Sequence, residues 1–190
     1  MKQTGLIILV LGILCLCFSL YKMNMQHKEQ KQSMAQAKSM IAQQHKQQTD
    51  IKPAAKPHAK NGEVIGILKI PVLKKELPIV EGADEDDLEK GVGHVSSTSL
   101  PGEHRQIVLA GHRDTVFRRL GTLRKSDELT VLLNNKRYTY IIYRTYIVDK
   151  DDTTVIRSTD PEEILTLSTC YPFSYVGHAP KRYVIEAKPK

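Results

Sequence analysis

The 190-residue chain has three cysteines, and only Cys170 lies outside the apolar N-terminal segment. Alone in its region, the Cys170 thiol has no cysteine with which to form an intramolecular disulfide there, even in an oxidising compartment. A free cysteine is most often a small buried hydrophobe. Cys170 differs in position: it ends the apolar run EILTLSTC and precedes a Pro- and Gly-punctuated loop, YPFSYVGHAP. A thiol at a strand end can reach a substrate, and a cysteine nucleophile needs a histidine brought from elsewhere in the chain. His112 closes the run RQIVLAGH before the polar Arg113-Asp114-Thr115, and Arg182 opens the run KRYVIEAK directly after Pro180 and Lys181. In an antiparallel hairpin with that loop, the end of one strand lies beside the start of the next, so Cys170 and Arg182 can be neighbours. A thiol next to an imidazole and a guanidinium has its thiolate favoured, and the same cation can face the oxyanion of a tetrahedral intermediate.

The elements that would position these groups read as strands. Short apolar segments rich in β-branched and aromatic residues, bounded by Gly, Pro, Asn and Asp, occupy residues 62–190. They are Glu63 to Ile70, Glu76 to Val80, Arg105 to His112, Asp127 to Leu133, Lys136 to Asp149, Glu163 to Cys170 and Lys181 to Lys188. Asn134-Asn135 tolerates positive φ and makes a two-residue hairpin turn. Asp84 to Lys90, acids first and lysine last, suits a short helix, and Val116 to Leu123 a helical turn or two. The expected fold is all-β with a few short helices: a closed or nearly closed antiparallel barrel of about eight strands.

Upstream the character changes. Gly5 to Tyr21 carries no charge, and with Lys22 snorkelling and Met23 continuing the apolar stretch it is long enough to cross a bilayer. No A-x-A-like cleavage site follows, so residues 5–23 read as a retained anchor after a short terminus of residues 1–4. Residues 24–61 read as a Gln- and Lys-rich stalk, with Met34, Ala37 and Ile41 on one helical face, ended by Pro53 and Pro57 and passing into a flexible linker. His27, His45 and His58, irregularly spaced among lysines, read as solvated side chains. The formal net charge of +7 resides wholly in this third: residues 1–61 hold 9 basic and 2 acidic side chains, and residues 62–190 hold 19 of each. A charge-balanced domain without a basic stripe speaks against nucleic acid.

LAGHRDTVFRRL, the Thr166 to Cys170 run TLSTC and the arginine of PKRYVI, in that order behind an N-terminal apolar segment, resemble the sortases, the transpeptidases that fix proteins to Gram-positive cell walls. CYPFSYVGHAPKRY and the single anchor are similar to class D, whereas the Asp-Pro-aromatic lid of pilin-polymerising members does not appear in this sequence. The resemblance covers residues 62–190 and implies a sortase-like barrel. It implies Cys170 as nucleophile, His112 as general acid/base and Arg182 as the oxyanion-stabilising group. Thr169, Gly111, Tyr171 and His178, beside them, are then expected to line the peptide site. The implied partners are proteins carrying an LPxTG- or LPxTA-like sorting signal, an amine of the peptidoglycan precursor, and the cell membrane, with the catalytic domain outside. Lys22, Lys28, Lys31 and Lys38 follow the span and only Lys2 precedes it, so the positive-inside rule alone would point the other way.

Other residues have plainer readings. His94, in GVGH, resembles a second family histidine and is expected to make structural hydrogen bonds. His104 reads as a solvated loop residue. The acidic run Glu81 to Glu89 could bind Ca²⁺, as in some class A sortases, but helix N-terminal charge explains it more simply; no cofactor and no metal site is expected. Two other function classes stay open: a hydrolytic cysteine peptidase, which would use the same trio, and a non-catalytic membrane-tethered β adaptor that binds extended peptide by strand addition.

Overall fold

The computed structural model describes residues 2–46, 59–175 and 177–190. The expected stalk stop at Pro53 and Pro57, and His58, lie outside them. The strands are β1 (Val64–Ile70), β2 (Lys75–Glu81), β3 (Val92–His94), β4 (Gln106–Ala110), β5 (Glu128–Leu133), β6 (Lys136–Asp149), β7 (Ile164–Tyr171) and β8 (Lys181–Pro189). They close into one barrel in the order β1-β2-β3-β4-β7-β8-β6-β5. Seven coincide with the expected runs. β3 does not: three residues are too few to display alternation, and the strand exists because β2 and β4 flank it.

The barrel is not uniformly antiparallel, which corrects the expectation. The β2–β3 and β4–β7 pairs are parallel. Parallel neighbours need a crossover. The short helix α2 (Glu85–Lys90) supplies it between β2 and β3, and the β5–β6 hairpin lies between β4 and β7 in the chain. That hairpin turns at Asn134 and Asn135, both left-handed at φ 48° and 60°, as a twist-matched two-residue turn requires.

Alternation assigns the two barrel faces. Ile107 and Leu109 of β4, Leu165 and Leu167 of β7, and Ile185 and Ala187 of β8 all join the buried interior. The intervening residues therefore face outward: Gln106, Val108 and Ala110; Thr166, Ser168 and Cys170; Arg182, Val184 and Glu186. Gln106 Nε2 donates to Thr166 Oγ1 at 3.0 Å across that outer face.

On the same face Glu186 is fully buried beneath polar side chains. Arg144 donates to both carboxylate oxygens (2.8 and 2.9 Å), Arg157 to both (2.9 and 3.1 Å), Tyr146 to Oε1 at 2.8 Å, and Tyr143 to Oε2. Burial pushes this carboxyl upward, but the bonds from Arg144, Arg157, Tyr143 and Tyr146 outweigh it and hold it well below the usual carboxylate range. A depressed folded-state pKa adds stability that is complete above the ordinary glutamate value of about 4.3 and is lost as the pH falls toward the folded-state value. Glu186→Gln is expected to lower stability at pH 7 by about 3 kcal/mol, the low end for a broken buried ion pair because both arginines reach solvent. Urea denaturation from pH 7 to pH 3 should show a shallower loss of stability in acid for the variant; equal slopes would mean that Glu186 is not the titrating group.

Upstream of the barrel, α1 (Lys2–Lys46) is one continuous helix. Its first half is long and apolar enough to cross a membrane, with Ile7, Leu14 and Phe18 all more than half exposed. Its second half, in the Gln- and Lys-rich stretch, is covered along one face. Ala37 is buried and packs with Val64, Ile67 and Val80 on the outside of the β1–β2 hairpin, joined by Met34, Met40 and Ile41. Lys38 Nζ lies 3.1 Å from Glu76 Oε2. The thin apolar stripe of the helix thus has a partner, because outward-facing residues of β1 and β2 are themselves apolar.

Candidate active site

Cys170 and Arg182 face each other directly across β7 and β8. Adjacent strands are about 4.8 Å apart, and side chains directly opposite in an antiparallel pair project to the same face. The expected hairpin proximity is thus met in register. β8 also pairs with β6, where Arg182 meets Val148, so the arginine's backbone is held from both sides. Both side chains are half-buried. Arg182 Nη1 donates to Lys181 O at 3.3 Å.

His112 arrives from the other neighbour of β7. The parallel β4–β7 register ends with Ala110 opposite Ser168, and the ladder runs one bond further, from Gly111 N to Ser168 O at 3.1 Å. Thr169 Oγ1 then donates to Gly111 O at 2.7 Å. That buried hydroxyl latches the residue before His112 to the residue before Cys170. Carrying the alternation of β4 past Gly111 returns His112 to the outer face that holds Cys170 and Arg182. A thiol between an imidazole-bearing strand end and a guanidinium-bearing strand start can be acylated, with a proton carrier and an oxyanion donor at hand.

The segment after His112 is anchored tightly. A Cβ on Gly111 would come within 2.7 Å of both Phe117 and Val116, so only glycine lets the segment fold back on itself there. Phe117 N donates to His112 O at 3.0 Å, and the Phe117 ring is fully buried. From β2, Lys75 Nζ donates to Thr115 O (3.3 Å) and Val116 O (3.1 Å). Burial, then the nearby Arg118 and Arg119, lowers the pKa of this ammonium.

Of the flanking residues singled out from sequence, Thr169 and Gly111 form the latch, and His178 is exposed in the β7–β8 loop. Tyr171 joins an aromatic trio, with ring centroids 5.7 Å from Phe173 and 6.2 Å from Tyr183, while Phe173 and Tyr183 stand 5.4 Å apart. Lys75, Phe173, Tyr183 and Arg113 escape a reading of the sequence. Only Arg113 carries a signal there, its place next to His112. Its Nη2 donates to Gly177 O at 2.9 Å, across to the β7–β8 loop.

His94 lies apart from Cys170 in β3 and is buried. Its Nδ1 is 2.8 Å from Glu81 Oε2 and its Nε2 is 3.1 Å from Ser99 O, the structural bonding expected of it. The acidic run is engaged in its own local contacts: Asp84 N donates to Asp87 Oδ2 at 3.3 Å, and Asp87 is 3.9 Å from Lys90 Nζ. Among the described residues no three His, Cys, Asp or Glu side chains group as a metal site.

The Sortase domain family model matches residues 68–190. Sortase D of Bacillus subtilis (strain 168) is 60% identical over 127 residues, covering 67% of this chain and 64% of that protein. Sortase A of Bacillus anthracis is 29% identical over 142 residues, covering 73% of this chain and 65% of that protein. The chain therefore spans just under two thirds of the length of these curated relatives. Among solved structures, a Clostridium perfringens Sortase D5 transpeptidase superposes with a TM-score of 0.71 at 25% identity, over 86% of this chain and 99% of that one. A Clostridium perfringens sortase C, solved with the C-terminal cell wall sorting motif, shares the fold at a TM-score of 0.65 and 23% identity, over 86% and 88% of the two chains.

Proposed function

The chain belongs to the sortase family, and on that premise we propose that it is a membrane-anchored cysteine transpeptidase of the class D kind, acting on an LPxTG- or LPxTA-like sorting signal. The observation that supports this reading is the direct pairing of Cys170 with Arg182, with the His112 strand latched alongside through Thr169 and Gly111. The Cys170 sulfur attacks the threonine carbonyl carbon, and the carbonyl π pair moves onto oxygen, where Arg182 donates to it. Collapse breaks the C–N bond, and His112 gives its proton to the departing amine, leaving a thioester on Cys170. An amine of the cell-wall precursor then attacks, loses a proton to His112, and expels the thiolate. Splitting the transfer in two lets one nucleophile serve both donor and acceptor. Neither step calls for a cofactor.

The same reading assigns the topology. Sorting signals and precursor amines meet outside the cell, so α1 is the single membrane span, with its N-terminus inside and the barrel outside. The lysines after the span oppose this under the positive-inside rule, and the location of the substrates outweighs them.

A panel of LPxTx peptides incubated with the detergent-solubilised full chain, with and without a peptide-like amine, tests the proposal by mass spectrometry. The expected result is cleavage after threonine, an acyl adduct on Cys170, and an amine-linked product. Cleavage that yields only free acid whatever the amine concentration would favour a peptidase, and binding without cleavage would favour the β adaptor.

A further inference from the structure

Among the described residues, three buried side-chain polar atoms lack a hydrogen-bond partner, and two of them, Arg113 Nη1 and Thr115 Oγ1, lie in the short segment after His112. The third, Asn135 Oδ1, is at the β5–β6 turn. Buried donors are nearly always satisfied, and an unpaired one beside a reactive centre marks a place where something else can bind. Arg113 has the better-defined geometry. Nη2 donates to Gly177 O, and the guanidinium carbon stands 5.9 Å from the centroid of the Tyr175 ring. The side chain therefore ties the segment after His112 to the loop that joins Cys170 to Arg182. One arm of the fork is occupied by that loop, and the other is shielded from water with nothing to donate to.

We propose that Arg113 is a substrate-positioning residue: it fixes the β7–β8 loop at Gly177 and Tyr175 as a wall of the peptide site and, with its guanidinium turning about the bond to Gly177 as the peptide enters, uncovers Nη1–H for a main-chain carbonyl of the bound sorting peptide. The inference rests on the transpeptidase reading above. An extended peptide brings carbonyls that have lost water and have no strand partner, which is the acceptor a spare guanidinium N–H requires. The rigid planar fork can hold a loop carbonyl and a peptide carbonyl together. A lysine at this position, a point charge on a mobile stem, cannot hold both in fixed geometry. This role is distinct from that of Arg182, which stands opposite the thiol itself.

The test compares wild type, Arg113→Lys and Arg113→Gln as detergent-solubilised full chains, using an LPxTx peptide that the wild type cleaves. Both variants are expected to raise KM about 10- to 100-fold, the effect of losing one hydrogen bond from a charged donor. kcat should stay near the wild-type value, as should the rate of Cys170 alkylation by iodoacetamide and the thermal midpoint. An unchanged KM overturns the proposal. So does a fall in kcat with KM unchanged, which would place Arg113 on the transition state, or a joint fall of the alkylation rate and the thermal midpoint, which would make it a structural tie. If the wild type forms no Cys170 adduct with any peptide, the transpeptidase reading fails and the inference with it; an active wild type with indifferent variants defeats the inference alone.

Discussion

Cys170→Ala is expected to give a folded protein that neither cleaves nor transfers a sorting peptide. The substitution removes one sulfur from a half-buried strand end, so the cost to stability should be about 1 kcal/mol or less, as for changes away from the core. The interior row of β7, Leu165 and Leu167, is untouched, and the Thr169 latch to Gly111 does not involve the thiol. The chemical consequence is far larger. Without the sulfur there is no thioester, and removal of the nucleophile from a comparable catalytic unit costs on the order of 10⁶ in kcat. The result should appear as loss of both the adduct and the product by mass spectrometry, with an unaltered circular dichroism spectrum and peptide binding retained. Residual acyl-enzyme, or turnover near that of the wild type, would remove Cys170 from the mechanism. The variant also separates the function classes: an adaptor would show no activity to lose.

Cys170, His112 and Arg182 stand out in the amino-acid sequence because each is a chemically distinctive residue at the end of a strongly patterned run, and strand ends beside loops are where reactive groups are displayed. The seven runs themselves are legible because alternation and β-branched content persist over five residues or more. What local pattern does not reveal depends on contacts distant in sequence. β3 has three residues and is a strand only because β2 and β4 enclose it. The two parallel pairings follow from barrel closure, which no local pattern encodes. Lys75 and Arg113 find their acceptors 40 to 64 residues away. Glu186, in the run KRYVIEAK, reads like a solvent-facing strand residue, yet two arginines and two tyrosines cover it completely. The helical stripe of Met34, Ala37 and Ile41 is visible in the sequence, but its partner depends on which residues of β1 and β2 turn outward.

Arg182→Lys is the second substitution with a large expected effect, because the role assigned to Arg182 is directed hydrogen bonding and not charge alone. Its backbone is fixed by β7 on one side and β6 on the other, so a lysine there starts from the same place opposite Cys170. In the native side chain Nη1 donates to Lys181 O, which steadies one arm of the fork. A guanidinium so held can meet a substrate carbonyl and the developing oxyanion together, whereas an ammonium on four methylenes supplies a compact charge without fixed donors. The lysine variant should therefore keep a positive charge beside the thiol and alkylate with iodoacetamide at nearly the wild-type rate. Peptide turnover should fall by about 10² to 10³, the usual effect of losing one oxyanion donor, with kcat falling more than KM rises. If alkylation and turnover decline together, Arg182 acts chiefly on the thiol or on local folding. If neither declines, Arg182 is not a catalytic residue, and oxyanion stabilisation must come from another donor near Cys170.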